Sequence, residues 1–268
     1  MDSITSNIER DIARTLDEVE REYDVRVLYA CESGSRAWGF ASDDSDYDAR
    51  FLYVNRPNWY LAVDLEEKRD VIELPIEGVL DVNGWDLRKA LRLFRKSNPP
   101  LMEWLSSPIV YREVGPSAHK LRQLAADFYY PTKCSYHYLR MAQTNYRQYL
   151  KGPDVWMKKY FYVLRPLLAV LWIERDLGVV PTEFASLVEA LVSDAKLRAA
   201  IDELVEKKRS GLETDTGPRI ELISRFIDAE LARLGKVKFE KLESTGDPQV
   251  LNQLFRDVLV DTWRTASH

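Results

Sequence analysis

The chain has 268 residues, of which 46% are apolar and 30% charged, with a formal net charge of −5. That balance suits a globular protein with a sizeable core, and no apolar run nears the roughly 20 residues of a membrane span. The opening Met1-Asp2-Ser3-Ile4 carries no signal-peptide pattern, and Cys31 and Cys134 stand in no metal or redox spacing. The expectation is a cytoplasmic protein without membrane contact and with two ordinary buried thiols.

In chain order, residues 4–22 place Ile4, Ile8, Ile12, Leu16 and Val19 on one face of an amphipathic helix. The run Val25-Arg26-Val27-Leu28-Tyr29-Ala30 reads as a strand, and Arg50-Phe51-Leu52-Tyr53-Val54 as another. A loop around Pro57, a third strand over 70–74, a turn at Glu77-Gly78 and a short strand over 79–82 follow. From Asp86, a predicted N-cap, the period turns helical until Asn98-Pro99-Pro100, after which a short helix begins at Leu101. Beyond residue 116 strand signals cease, and 117–128, 134–150, 154–177, 183–192, 195–209, 218–234 and 248–265 read as helices. The expected organisation is an α+β head over 1–115 and an all-helical domain over 116–268. Charge divides the same way, with 15 basic and 23 acidic residues in the head against 23 and 20 in the remainder. An acidic metal-binding half beside a more basic half fits an enzyme that grips a polyanion, and chance variation fits as well.

The two central strands enclose Gly34-Ser35, ten residues, and then Asp46-Tyr47-Asp48. A small-residue turn brings backbone N–H groups close to a phosphate. Carboxylates two positions apart on a strand share a face. Paired hard-oxygen ligands beside a phosphate cradle are what Mg²⁺-assisted phosphoryl chemistry requires. A third carboxylate is needed, and Asp81, on the strand before a helix, is the first candidate. Asp86 is its rival, with capping the better role for it. Asp43 and Asp44 belong to turn chemistry. Arg36 either reaches a phosphate or caps the acidic cluster. Arg50, in line with Asp46 and Asp48, either balances the carboxylates or touches the nucleotide. The histidines His119, His137 and His268 are dispersed and no P-loop is present.

At these residues the chain resembles the DNA polymerase β superfamily of nucleotidyltransferases, whose signature is G-S-x-D-x-D. The text from Glu32 through Phe51, the stretch 81–105 and the stretch 158–169 are similar to one branch, the RNA repair pathway DNA polymerase β family. The resemblance spans about residues 25–190. It implies a small mixed sheet with flanking helices in the head. It also implies two-metal transfer of a nucleoside monophosphate, with Mg²⁺ or Mn²⁺ held by Asp46, Asp48 and Asp81, and an NTP (ATP favoured) as donor. Gly34 and Ser35 would then hold the β/γ-phosphates.

Residues 133–175 hold eight Lys or Arg against two acids, interleaved with six tyrosines. Such a surface contacts phosphates and stacks bases, although tyrosines of this kind also pack between helices. Lys158, Tyr162 and Arg165 are spaced four and three apart, with Lys159 beside them. By similarity to related enzymes, this face is assigned to the incoming nucleotide, with Lys89 a weaker candidate. The expected acceptor is an RNA end. The rivals are transfer to a protein side chain, as in toxin-modifying enzymes, transfer to a small molecule such as an antibiotic, and a catalytically silent nucleotide-binding module.

Overall fold

The computed structural model describes residues 3–211, 216–239 and 245–264, with side chains from residue 7 onward. The side chain of Ile4, and Thr265 and His268, lie outside the described residues. The elements run α1 (Ser3–Tyr23), β1 (Arg26–Glu32), α2 (Gly34–Trp38), β2 (Tyr47–Val54), α3 (Pro57–Tyr60), β3 (Val71–Glu73) and β4 (Leu80–Asp86). They continue with α4 (Leu87–Phe94), α5 (Pro99–Leu105), β5 (Val110–Glu113), α6 (Ser117–Phe128), α7 (Pro131–Tyr149), β6 (Asp154–Trp156) and α8 (Lys159–Glu174). The last are α9 (Phe184–Leu191), α10 (Ala195–Arg209), β7 (Thr216–Pro218), α11 (Glu221–Leu234) and α12 (Pro248–Arg264). Among the described residues no helix is long and apolar enough to cross a membrane.

The chain divides into two compact units, one of Met1–Ala37, Asp46–Phe128 and Thr245–His268, the other of Trp38–Ser45 and Tyr129–Ser244. The first unit is built on a mixed sheet in the order β3-β4-β2-β1-β5, in which β2 and β4 are parallel and the other pairs antiparallel. Alternation along β2 sends Leu52 and Val54 to one face and Phe51 and Tyr53 to the other, and all four are buried. A strand covered on both faces is apolar almost throughout, which is why β1 and β2 read so clearly. The stripe of α1, Ile12, Leu16 and Val19, seals one face. The other face is packed by Leu87, Leu91 and Phe94 of α4, Leu121 of α6, and Leu251, Leu254 and Val258 of α12.

The expected boundary at residue 115 is therefore displaced. Helices α6 and α12 belong to the first unit, because the second sheet face needs cover that the first 115 residues do not supply. The loss of strand signal marks the end of the sheet and not the end of its core.

In the second unit α8 is the central helix, with an unbroken buried run from Val163 to Val170. A helix apolar on all sides is surrounded by others, here α7, α9 and α11. The Tyr160 hydroxyl, 2.8 Å from that of Ser224, accepts from the Ile220 N–H at 2.9 Å and ties α8 to the start of α11. The unit is not all helix. Residues of the expected 154–177 helix instead begin as β6, paired antiparallel with β7 through Val155↔Gly217. Val155 is fully buried. A β-branched residue just after Gly152-Pro153 favours an extended start, and the three-residue partner strand is too short to show a period.

Candidate active site

Strand β1 delivers Gly34 and strand β2 delivers Asp48 to one corner of the sheet. Gly34 has φ +64°, and a Cβ there would lie 2.2 Å from Asp48 Oδ2, so only glycine fits. The Ser33 N–H donates to the Asp48 carbonyl at 2.9 Å, locking the end of β1 to β2.

Parallel pairing of β2 with β4 sets Asp48 opposite Asp81, and Arg50 opposite Asn83 two residues on. The period of two puts all four side chains on one face. One guanidinium nitrogen of Arg50 bonds Asp48 Oδ1 at 3.1 Å and Asp81 Oδ2 at 2.8 Å, while its other terminal nitrogen reaches the Asp81 carbonyl at 2.9 Å. Asn83 Nδ2 donates to Asp81 Oδ1 at 2.5 Å. Of the two roles open to Arg50, the structure displays charge balance. Asp46, exposed, stands one residue before β2, and its carbonyl accepts from Arg36 Nε at 3.2 Å. The Arg36 guanidinium lies 3.6 Å from the centre of the Tyr47 ring. Burial raises the Asp48 carboxyl above its ordinary pKa, Arg50 opposes the rise, and the charges of Asp81 and Asp46 add to it.

Glu32 is a member of this corner that the sequence reading did not single out. It is fully buried, accepts from the Asp48 N–H at 2.8 Å and the Ser33 N–H at 3.1 Å, and takes the Tyr111 hydroxyl on its other oxygen. Burial pushes its carboxyl up to about 7, against the pull of the Tyr111 and Asp48 hydrogen bonds. Its signal was present: a carboxylate closing the otherwise apolar run of β1, directly before Ser33-Gly34.

Asp86, the rival third carboxylate, is 1% exposed and caps α4 through the Arg88 N–H at 2.8 Å. Its other oxygen accepts from Asn55 Nδ2 at 2.9 Å and the Tyr60 hydroxyl at 2.5 Å. Capping is its role. Lys89 pairs with Asp70 at 2.7 Å.

The basic candidates of α8 lie in the second unit. Lys158 is exposed and Tyr162 is 38% exposed. The Lys159 ammonium sits 4.6 Å from the Tyr149 ring centre and 4.4 Å from that of Tyr162. Burial and then the Lys158 charge depress its pKa. Arg165 departs from the expectation of a shared face. It is wholly buried, donates to the Thr182 carbonyl at 3.2 Å and the Pro181 carbonyl at 3.3 Å, and stacks over Trp38 at 4.9 Å. A guanidinium so engaged holds the α8–α9 connection.

Among the described residues no group of three or more His, Cys, Asp or Glu side chains is gathered as a metal site. Asp48 and Asp81 are nonetheless adjacent carboxylates with Asp46 close enough to perturb Asp48, and such an all-oxygen set suits a hard divalent cation.

A glycine in the left-handed region against an acidic strand pair, on a small mixed sheet, fits a nucleotidyltransferase of the polymerase β type. The chain belongs to the RNA repair pathway DNA polymerase beta family, whose model matches residues 8–257. It is 47% identical over 258 residues to the "Uncharacterized protein YcgL" of Bacillus subtilis (strain 168), covering 94% of this chain and 97% of that one. A solved structure, a nucleotidyltransferase-like protein from Exiguobacterium sibiricum 255-15, aligns with 12% identity and a TM-score of 0.34 over 95% of this chain and 91% of that one.

Proposed function

We propose that this protein transfers a nucleoside monophosphate from an NTP, with ATP the first donor to test, to a hydroxyl at an RNA end. The new bond joins the acceptor oxygen to the α-phosphorus as that hydroxyl's proton is lost to solvent, the bond from that phosphorus to the bridging β oxygen breaks, and pyrophosphate leaves. The observation that carries the reading is the Asp48–Asp81 pair in matched register beneath Gly34. RNA is favoured over a protein or small-molecule acceptor by the family's description.

Asp46, Asp48 and Asp81 are proposed to hold Mg²⁺ or Mn²⁺, which when bound lowers the acceptor's pKa and neutralises the leaving group. Arg50 keeps the two carboxylates together until that charge is replaced, and Glu32 fixes the backbone of Asp48. Gly34, Ser35 and Arg36 in the first unit, and Lys158, Lys159 and Tyr162 in the second, are proposed as phosphate-binding groups. Arg165 is left out of that set because its donors are spent on carbonyls.

The test is incubation with α-labelled NTPs, a divalent cation and cell extract, followed by separate RNase and protease digestion. Label removed by RNase supports the reading. Label that survives RNase and falls to protease assigns the acceptor to protein, and label in the small-molecule fraction assigns it there. Tight NTP binding with no transfer to any fraction would leave a silent binding module.

A further inference from the structure

A cavity of about 440 Å³ opens in the first unit at the N-terminal end of β1, lined among others by Leu28, Arg112, Ser117, Lys120 and Val258. Strand β1 has seven residues, so this cavity is on the order of 20 Å from the end that carries Gly34. Its volume lies within the range of small-molecule sites, about 300–1,000 Å³.

The start of α6, a helix of 12 residues, borders this space through Pro116, Ser117 and Lys120. The Lys120 N–H bonds the Pro116 carbonyl at 2.9 Å, so Pro116 stands at the cap position with no side-chain oxygen to offer. Among the described residues no acceptor meets the N–H groups of Ser117, Ala118 or His119. Independently, the Ser117 side chain is 3% exposed, lines the cavity, and finds no hydrogen-bond partner among the described residues. Lys120, half-buried on the same turn, is in no ion pair among the described residues. Arg112 adds positive charge, although Asp17 and Glu20 already engage it at 2.6 and 3.9 Å.

We infer that this cavity is a second ligand site, for a small phosphomonoester whose phosphate sits on the α6 N-terminus. The Ser117 N–H and hydroxyl at the start of α6, with the Lys120 ammonium, suit the terminal oxygens of a phosphate. The remaining walls describe the body of the ligand. Val27, Leu28, Val114 and Val258 give it apolar contact. Asp257 and Asp261, one turn apart on α12, are acceptors for its hydroxyl or amino hydrogens. A sugar phosphate or a nucleoside monophosphate has both features. The inference does not depend on the transfer reaction.

Isothermal titration of the full chain with AMP, ribose 5-phosphate, adenosine and inorganic phosphate tests it. The expected result is saturable binding of AMP or ribose 5-phosphate, at least tenfold weaker in Lys120→Glu and several-fold weaker in Ser117→Ala. Lys120→Ala serves where the charge reversal lowers the melting temperature. Asp48→Asn should leave this binding unchanged, which separates the cavity from the acidic corner. Binding lost in Asp48→Asn, inorganic phosphate binding as tightly as the organic phosphates, adenosine binding as tightly as AMP, or no binding at millimolar ligand would each overturn it.

Discussion

Asp48 and Asp81 stand opposite each other in the parallel pairing of β2 with β4, and one nitrogen of Arg50 touches both, at 3.1 and 2.8 Å. Two like charges at this spacing are stable only with an opposite charge between them, and in this structure the guanidinium supplies it. The pair is partly solvated, with side-chain exposures of 28% and 23%, so its worth is well below that of a buried ion pair. Arg50→Ala should cost about 1–2 kcal/mol of stability in metal-free buffer. Millimolar Mg²⁺ or Mn²⁺ should then raise the melting temperature of the variant more than that of the parent. Equal shifts, followed by thermal unfolding, would show that the two carboxylates do not share a cation.

Gly34 and Gly78 separate backbone strain from site geometry. Both have φ near +60°, but a Cβ at Gly34 meets Asp48 Oδ2 at 2.2 Å, whereas a Cβ at Gly78 meets nothing within 4 Å. Alanine at either position should cost about 1–2 kcal/mol for the left-handed backbone. Only Gly34→Ala should also displace the carboxylate, with a loss of transfer on the order of 100-fold. Comparable activity in the two variants, measured as kcat on the same acceptor, would remove Gly34 from the site.

Asp81 and Asp86 end the same strand with opposite duties. Asp81→Asn should abolish transfer with little change in melting temperature, because the single amide oxygen can still accept from Asn83 and the backbone carbonyl still accepts from Arg50. Asp86→Ala removes the α4 cap and strands Asn55 and Tyr60, at a cost of about 2–4 kcal/mol. Transfer by the folded fraction at low temperature should survive. The reverse pattern in paired melting and transfer assays would make Asp86 the third carboxylate.

What could be read from the chain follows from how local each signal is. Strands β1 and β2 were legible because burial on both faces leaves a continuous apolar run, and the Gly34 to Asp48 spacing because it spans only the connection from β1 to β2. Asp86 as a cap was legible from the switch of period beside it. The membership of α12 in the first core was not, since nothing within residues 248–264 says which sheet they cover. Arg165 misled because spacing of three and four defines a helical face but not the environment of each position, and here Arg165 alone meets the Pro181–Thr182 carbonyls. Strand β6 was hidden by its length, three residues being too few for a period.

The two cysteines give each unit its own probe. Cys31 lies in β1 and Cys134 in α7, both fully enclosed. Burial pushes the Cys31 thiol up to about 12, so almost no thiolate exists at pH 8, and the thiolate is the reactive form. Neither thiol should react with an aromatic disulfide reagent in the native protein over minutes, and both should react at once in guanidinium chloride. Titrating denaturant and identifying the labelled peptide by mass then reports the opening of each unit separately. Because β1 ends at Glu32 and leads directly into Gly34, labelling of Cys31 marks the loss of the acidic corner. Transfer activity should therefore disappear along the Cys31 labelling curve. Fast labelling of Cys31 in fully active protein would mean that β1 opens without disturbing the site, contrary to the hydrogen bonds that join Ser33 and Glu32 to Asp48.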